Sequence, residues 1–238
     1  MEVNSSSLKS TARHAGLLYL IWIITGLFAL FYVPSQINIQ GDAATTAQNI
    51  LSNEFLFRTS IVNDLVSNTI WVFLVLVFYR LFKHVDQGQA KLLVAFVIVQ
   101  IPATFFMGAS NMTSLMILKG ELLKAFELSQ RQDLVVLFLK MNDYGVLMLE
   151  LFWGLWLFPL AILVYRSRFL PRFLGVWLTI NGFALVVLSF TSLLLPQYKD
   201  IVYKIAFPAM FGEIALMLWL LIMGAKPKPL PDTASDAG

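Results

Sequence analysis

The chain has no cysteine. That excludes disulfides, thiolate nucleophiles, iron–sulfur clusters and Cys-ligated zinc. Histidine is nearly absent: there are only His14 and His84, both beside basic residues at the edges of apolar segments. The interior therefore offers no His-ligated haem or zinc site. Each histidine reads as a solvated interfacial residue rather than a catalytic base. Charge is scarce as well. Only 13% of the 238 residues are Asp, Glu, Lys or Arg, against about 25% in a soluble domain. No G-x-S-x-G elbow, H-E-x-x-H pair or Walker loop is present. Paired carboxylates leave a lipid-modifying enzyme open as an alternative, but no motif points to one.

What fills the chain instead is hydrocarbon. Hydrophobic residues make up 58% of it, and the mean hydropathy is +0.76. Several apolar runs reach the roughly 20 residues that cross a bilayer as a helix. The fold class is all-α, a polytopic membrane bundle. Six spans are expected, at about 15–33, 59–79, 92–116, 144–165, 173–195 and 205–224. The first, Ala15 to Val33, exceeds a signal-peptide core and has no small-x-small cleavage site after it, so it reads as a retained span. Residues 1–14 read as a cytoplasmic tail, 15–224 as one membrane domain, and the Pro-, Ala- and Asp-rich 225–238 as a disordered tail. Pro102 and Gly108 predict a kink in the third span.

The net charge of +3 reflects loop cations rather than nucleic-acid binding. Ten Lys and Arg lie on the side of the N-terminus and seven opposite. Arg80, Arg166, Arg168 and Arg172 anchor that side, the last three within the turn RSRFLPR. The positive-inside rule places both termini in the cytoplasm and the protein in the inner membrane. In the first outer loop Asp42 can cap a short helix. That helix and the segment around Leu122, Leu123 and Phe126 both read as amphipathic helices on the outer surface. The second segment equally fits an extension of the third span. No internal repeat relates the two halves, which counts against an inverted-repeat transporter.

The polar residues inside the spans are the candidate site. Asp64 precedes Arg80 by 16 residues, and Glu150 precedes Arg166 by the same 16. At 1.5 Å per residue both lie about 24 Å from the inner anchor, in the outer part of a core about 30 Å thick. Glu213 sits in the outer half of the sixth span. Asp64, Asn68, Asn111, Glu150 and Glu213 are expected to converge as an outward-facing cluster for a small cation, a proton or a polar ligand. The alternative is a structural network of acids and amides that joins the helices. Lys140 and Asp143 are spaced for an i,i+3 ion pair at the membrane edge. Neither a cofactor nor a metal is implied. The expected partners are the bilayer and an unidentified small ligand or ion.

Five stretches carry a family resemblance: ARHAGLLYL, GDAATTAQNILSNEFLFR, VFYRLFKHVD, FWGLWLFPLAILVYRSRFLPRFLGVWL and FGEIALMLWLLIMG. Together they make the chain, over about 12–224, resemble the bacterial integral-membrane family catalogued as domain of unknown function 4386. The resemblance implies a compact multi-helix membrane protein and no assigned reaction. It puts Glu213 within a family-like motif and leaves Glu150 outside the stretches that carry it.

Overall fold

The computed structural model describes residues 5–37 and 42–226. Among them all regular structure is helical: α1 (Ser5–Leu27), α2 (Val33–Gln36), α3 (Ala43–Ser52), α4 (Glu54–Phe82), α5 (Gln87–Ile98), α6 (Ile101–Leu118), α7 (Leu128–Leu155), α8 (Leu157–Arg166), α9 (Arg172–Leu194) and α10 (Lys199–Ile222). These elements form six helical runs long and apolar enough to cross a membrane. A multi-pass membrane protein follows from their length and composition.

Prolines set the interruptions. A proline has no N–H, and its ring collides with the carbonyl four residues back. Pro102 opens α6, and α5 stops at Ile98, four residues earlier. This is the expected kink. Pro159 does the same to Leu155, where α7 stops, and the break leaves Trp156 between α7 and α8. Pro34 faces the carbonyl of Leu30, which lies in a widened π-helical turn, Phe28–Tyr32, joining α1 to α2. Pro208 alone is accommodated inside a continuous helix, α10.

Several element boundaries differ from expectation. Most of the supposed N-terminal tail is helical, since α1 begins at Ser5, and Ala12 is buried. Residues 227–238, expected to be a disordered tail, lie outside the described residues. The helix that carries the fourth span begins at Leu128, well before the apolar segment expected from about 144. A reciprocal capping box between Glu127 and Gln130 starts it there, and Val135 and Leu139 are buried. The segment around Leu122 to Phe126 is neither a surface helix nor an extension of the third span. Gly120, at φ 72°, ends α6 in a Schellman turn, with Glu121 N–H donating to Met116 O at 3.0 Å and Gly120 N–H to Ile117 O at 3.0 Å. Residues 121–127 are then exposed and non-helical.

Helix α3 is capped by Asp42, whose Oδ1 accepts from Thr45 N–H at 2.7 Å. That backbone donor holds the Asp42 carboxyl below the usual carboxylate range. The helix is docked on α4, α6 and α7, with Thr46, Ala47 and Ile50 buried. Ala47 and Ile50 join Phe57, Leu115, Val135 and Leu139 in a small far-end core.

The six runs make a closed ring. α1 packs on α4 and α10, α4 on α5 and α6, α5 and α6 on α7 and α8, and α7 and α8 on α9, which returns to α10. Neighbours are antiparallel, so one end carries Arg80, Arg166, Arg172 and the described chain ends; we call it the basic end. Glycines permit the tightest seams. A Cβ on Gly16 would lie 2.5 Å from the Leu221 nitrogen, one on Gly154 2.7 Å from the Gly182 oxygen, and one on Gly175 2.8 Å from the Ala161 oxygen. Gly154 and Ala161 are seven residues apart, as are Gly175 and Gly182, so the two pairs meet in antiparallel register. By contrast, a Cβ on Gly26 would meet nothing within 4 Å.

This contrast yields a paired prediction. Gly154→Ala and Gly175→Ala should each destabilise the folded protein by about 1–3 kcal/mol, the range for overpacking. Gly26→Ala should be neutral or slightly stabilising, since Ala is favoured over Gly in a helix by about 0.8–1 kcal/mol. Thermal unfolding in detergent reads all three. Equal losses in all three would contradict the packing described.

Candidate functional site

No backbone pair closes across the ring, so side chains fill its centre. Trp156, freed at the α7–α8 break, is 1% exposed. Its ring meets Trp71 of α4 edge-on at 5.7 Å, and Tyr19 and Trp22 of α1 at 6.1 and 6.0 Å. Trp22 stacks on Trp71 at 5.1 Å, and Phe78 packs edge-on against Tyr19 at 5.8 Å. This aromatic plug joins the main core, which runs from it toward the basic end through Leu74, Phe82, Leu160 and Val164.

The carboxylates lie on the stripes that reach this plug. On α4, Asp64, Asn68, Trp71, Val75 and Phe78 recur at spacings of four, three, four and three, one helix face. Asn68, Trp71, Val75 and Phe78 of that face are buried. Asp64 stands seven residues before Trp71, about 10 Å further toward the far end. Glu150 shares the stripe of Trp153 and Leu157 and stands six residues before Trp156, about 9 Å out. Glu213 shares the stripe of Leu216, Met217 and Leu220, all three of which belong to the core.

Glu213 is the best-defined of the three. Tyr19 OH donates to its Oε1 at 2.5 Å, and Asn181 Nδ2 donates to its Oε2 at 3.3 Å. Tyr19 and Asn181 are each 0% exposed, whereas Glu213 itself is only half-buried. Asn181 Oδ1 is buried without a hydrogen-bond partner. Three helices thus meet at one carboxylate, level with the aromatic plug. Neither Tyr19 nor Asn181 was expected from the sequence. Asn181 did carry a signal: it interrupts the stripe Leu174, Leu178, Leu185, Leu188, where an unpaired amide would be costly.

The expected convergence of five residues at one level does not occur. Asp64 bonds to the side chain of Asn63, which donates to Thr25 O of α1 at 3.1 Å. Asn68 donates to the Asp64 backbone oxygen at 2.7 Å. Asn111 accepts from Asn142 Nδ2 at 3.4 Å on the α6–α7 seam, away from Glu213. Glu150 has a buried Oε2 without a hydrogen-bond partner and Lys199 within electrostatic reach. Among the described residues, no three Asp, Glu or His side chains gather closely enough to hold a metal ion. Asp64 and Glu150 form an upper tier and Glu213 a lower one, which the matched count from the arginines could not distinguish. Lys140 and Asp143 do pair, at 3.7 Å, both largely exposed. Arg166 is tied to Asp86 at 2.7 Å, while Arg80, Arg168 and Arg172 are exposed at the basic end.

Open space lies above the lower tier, on the α1 side. At about 100° per residue, Gly16 faces α10 while Thr25, bonded to Ser67 at 3.0 Å, faces α4. Tyr19, Trp22 and Gly26 fall in the sector between, within about 60° of one another. That sector is the ring interior. The vacancy beside Gly26 therefore lies inside the ring, on the far side of Tyr19 and Trp22. Trp22 and Glu213 are each partly exposed. The site's parts are an aromatic floor, one carboxylate held by two donors, and two further acids above it.

Comparison with known proteins adds no chemistry. A 79-residue stretch is 30% identical to an uncharacterized protein of Archaeoglobus fulgidus, covering 32% of this chain and 44% of that protein. The chain thus matches less than half the length of that curated relative. No solved structure matches it. The model of the domain of unknown function DUF4386 matches residues 14–224, and the chain accordingly belongs to that family.

Proposed function

We propose that this multi-pass protein binds a small monovalent cation, an organic ammonium above all, inside the helix ring, with Glu213 as the charged partner. The observation that carries the proposal is Glu213 held between Tyr19 and Asn181, with open space at Gly26, seven residues or about 10 Å further along α1. A carboxylate within the bilayer costs about 2.5–3.5 kcal/mol. Hydrogen bonds to a charged group return about 1.5–3 kcal/mol each. Two donors therefore offset much of the cost of an anion here, and a bound cation supplies the rest. Asn181 Oδ1 supplies a spare acceptor for an N–H donor on the ligand. A floor of Trp22 and Trp71 stacked together attracts a cation to its π face. Asp64 and Glu150, about two turns further out, would raise the local cation concentration along the way in.

The same reading puts the basic end in the cytoplasm of the inner membrane, since exposed arginines mark the side that does not translocate. The site then opens away from the cytoplasm. Fusion of a fluorescent protein to either terminus should give fluorescence, and fusion of alkaline phosphatase to either should give no activity. The opposite pattern would invert the topology.

Binding is read by thermal shift of the purified chain with tetramethylammonium, ethylammonium or sodium chloride at one ionic strength. An ammonium salt should raise the unfolding midpoint of the wild type. Glu213→Gln should abolish the shift while membrane abundance stays near normal, and Gly26→Leu, which fills the vacancy, should weaken it severalfold. Tyr19→Phe tests the short donor separately and should reduce the shift. No cation-dependent shift in the wild type, together with lost abundance in Glu213→Gln, would make Glu213 structural glue and end the proposal.

A further inference from the structure

A second place on the molecule has the chemistry of a site and lies outside the ring. On α8, Leu160, Leu163 and Val164 face the core, so Ile162, Tyr165 and Arg166 turn outward. On α9, Val176 and Ile180 are 50% and 55% exposed on the same side. Between the two helices runs a groove of about 460 Å³, lined by these residues and Thr179. That volume is within the range of small-ligand sites, about 300–1,000 Å³. Gly175 creates it: its contact with Ala161 O brings the two backbones together and leaves a trough where their outward side chains diverge.

The groove is apolar along its length and cationic at one end. Arg166 lies in its wall, with a side chain 60% exposed. Arg172 holds its guanidinium over the Tyr165 ring, 5.4 Å from the centroid. Arg168 stands on the turn between them at φ 59°. Asp86 neutralises Arg166 alone; among the described residues neither Arg168 nor Arg172 has a carboxylate in ion-pair range. Arg172 to Ile180 is eight residues, or about 12 Å along the helix, most of one leaflet of a core about 30 Å thick. Two guanidiniums with no carboxylate partner among the described residues, at the headgroup level above an apolar trough one leaflet deep, complement a lipid with an anionic phosphate and an acyl chain. A planar guanidinium binds phosphate oxygens in a bidentate manner.

We infer that the α8–α9 groove seats an acidic phospholipid of the leaflet at the basic end. Its phosphate lies against Arg168 and Arg172, and one acyl chain against Ile162, Val176 and Ile180. The seat is independent of the cation site, since it shares no residue with it.

The test uses the purified full-length chain in neutral detergent with added phosphatidylglycerol or phosphatidylcholine. Native mass spectrometry counts the lipid retained. Phosphatidylglycerol should be retained in preference to phosphatidylcholine, and the double variant Arg168→Gln with Arg172→Gln should reduce that preference about thirtyfold, the scale expected for two basic contacts. Val176→Trp should obstruct the trough and lower retention. Ile180→Ala, at an exposed position that cannot disturb the core, should lower it too. Equal retention of both lipids by the wild type would overturn the inference. So would retention unaffected by both trough variants, which would mean surface charge alone, or competition by free glycerol phosphate, which would mean a headgroup contact without a chain.

Discussion

Everything in the ring depends on what stands at its centre. Six helices whose backbones pack mainly on their two neighbours enclose an axis that backbone cannot fill. Hydrocarbon outside gives no hydrophobic drive to collapse it, because lipid tails are as apolar as leucine. Contact between large side chains must do the work, each pair of atoms adding little and the sum adding much. Trp156 supplies the largest share. The Pro159 break puts it at the turn between α7 and α8, and from there it reaches α1 and α4. In an unbroken helix the same side chain would be one more residue on one wall.

The plug also creates the polar site. Tyr19 is held by Trp156 on one side and Phe78 on the other, so its hydroxyl is aimed before any ligand arrives. That hydroxyl meets Glu213. The buried ring and its phenol thus convert packing into positioning, the arrangement that lets a site bind without first ordering itself. Toward the basic end the core is continuous. Toward the far end the packing loosens, the docked α3 covers only α4, α6 and α7, and the acids appear.

Much of the fold was legible in the sequence. Apolar run length gave six spans, and six exist by length and composition. Pro102 announced its kink. The misreadings share one cause. Hydropathy marks what touches lipid, so it ended the fourth span's reach near 144, although a capping box starts that helix at Leu128. The candidate acids were visible because a charge in a span is rare. Their grouping was not, because depth counting supplies one coordinate and ring order supplies another. Asn111 matched in depth and lies on the wrong seam. Tyr19 was passed over because a tyrosine in a span is unremarkable until a carboxylate is placed beside it, and Asn181 because a reading from the acids reaches only their nearest amides.

Pro159 shows how that gap could be narrowed. The rule that located the Pro102 break applies to it without change: the carbonyl four residues back belongs to Leu155, and the helix stops there. Applied to every proline in the spans, the rule also finds the widened turn at Leu30. It fails only at Pro208, where α10 stays continuous. The difference lies in the surroundings. Leu155 is followed by Trp156, and Ile98 by the exposed Val99 and then Gln100; Trp156 and Gln100 are each 1% exposed, so each break ends with a side chain packed inside the protein. Around Pro208 the neighbours Phe207 and Phe211 face outward, and a bend would bury nothing. A proline supplies the strain, and the residue it would bury decides whether the helix gives way.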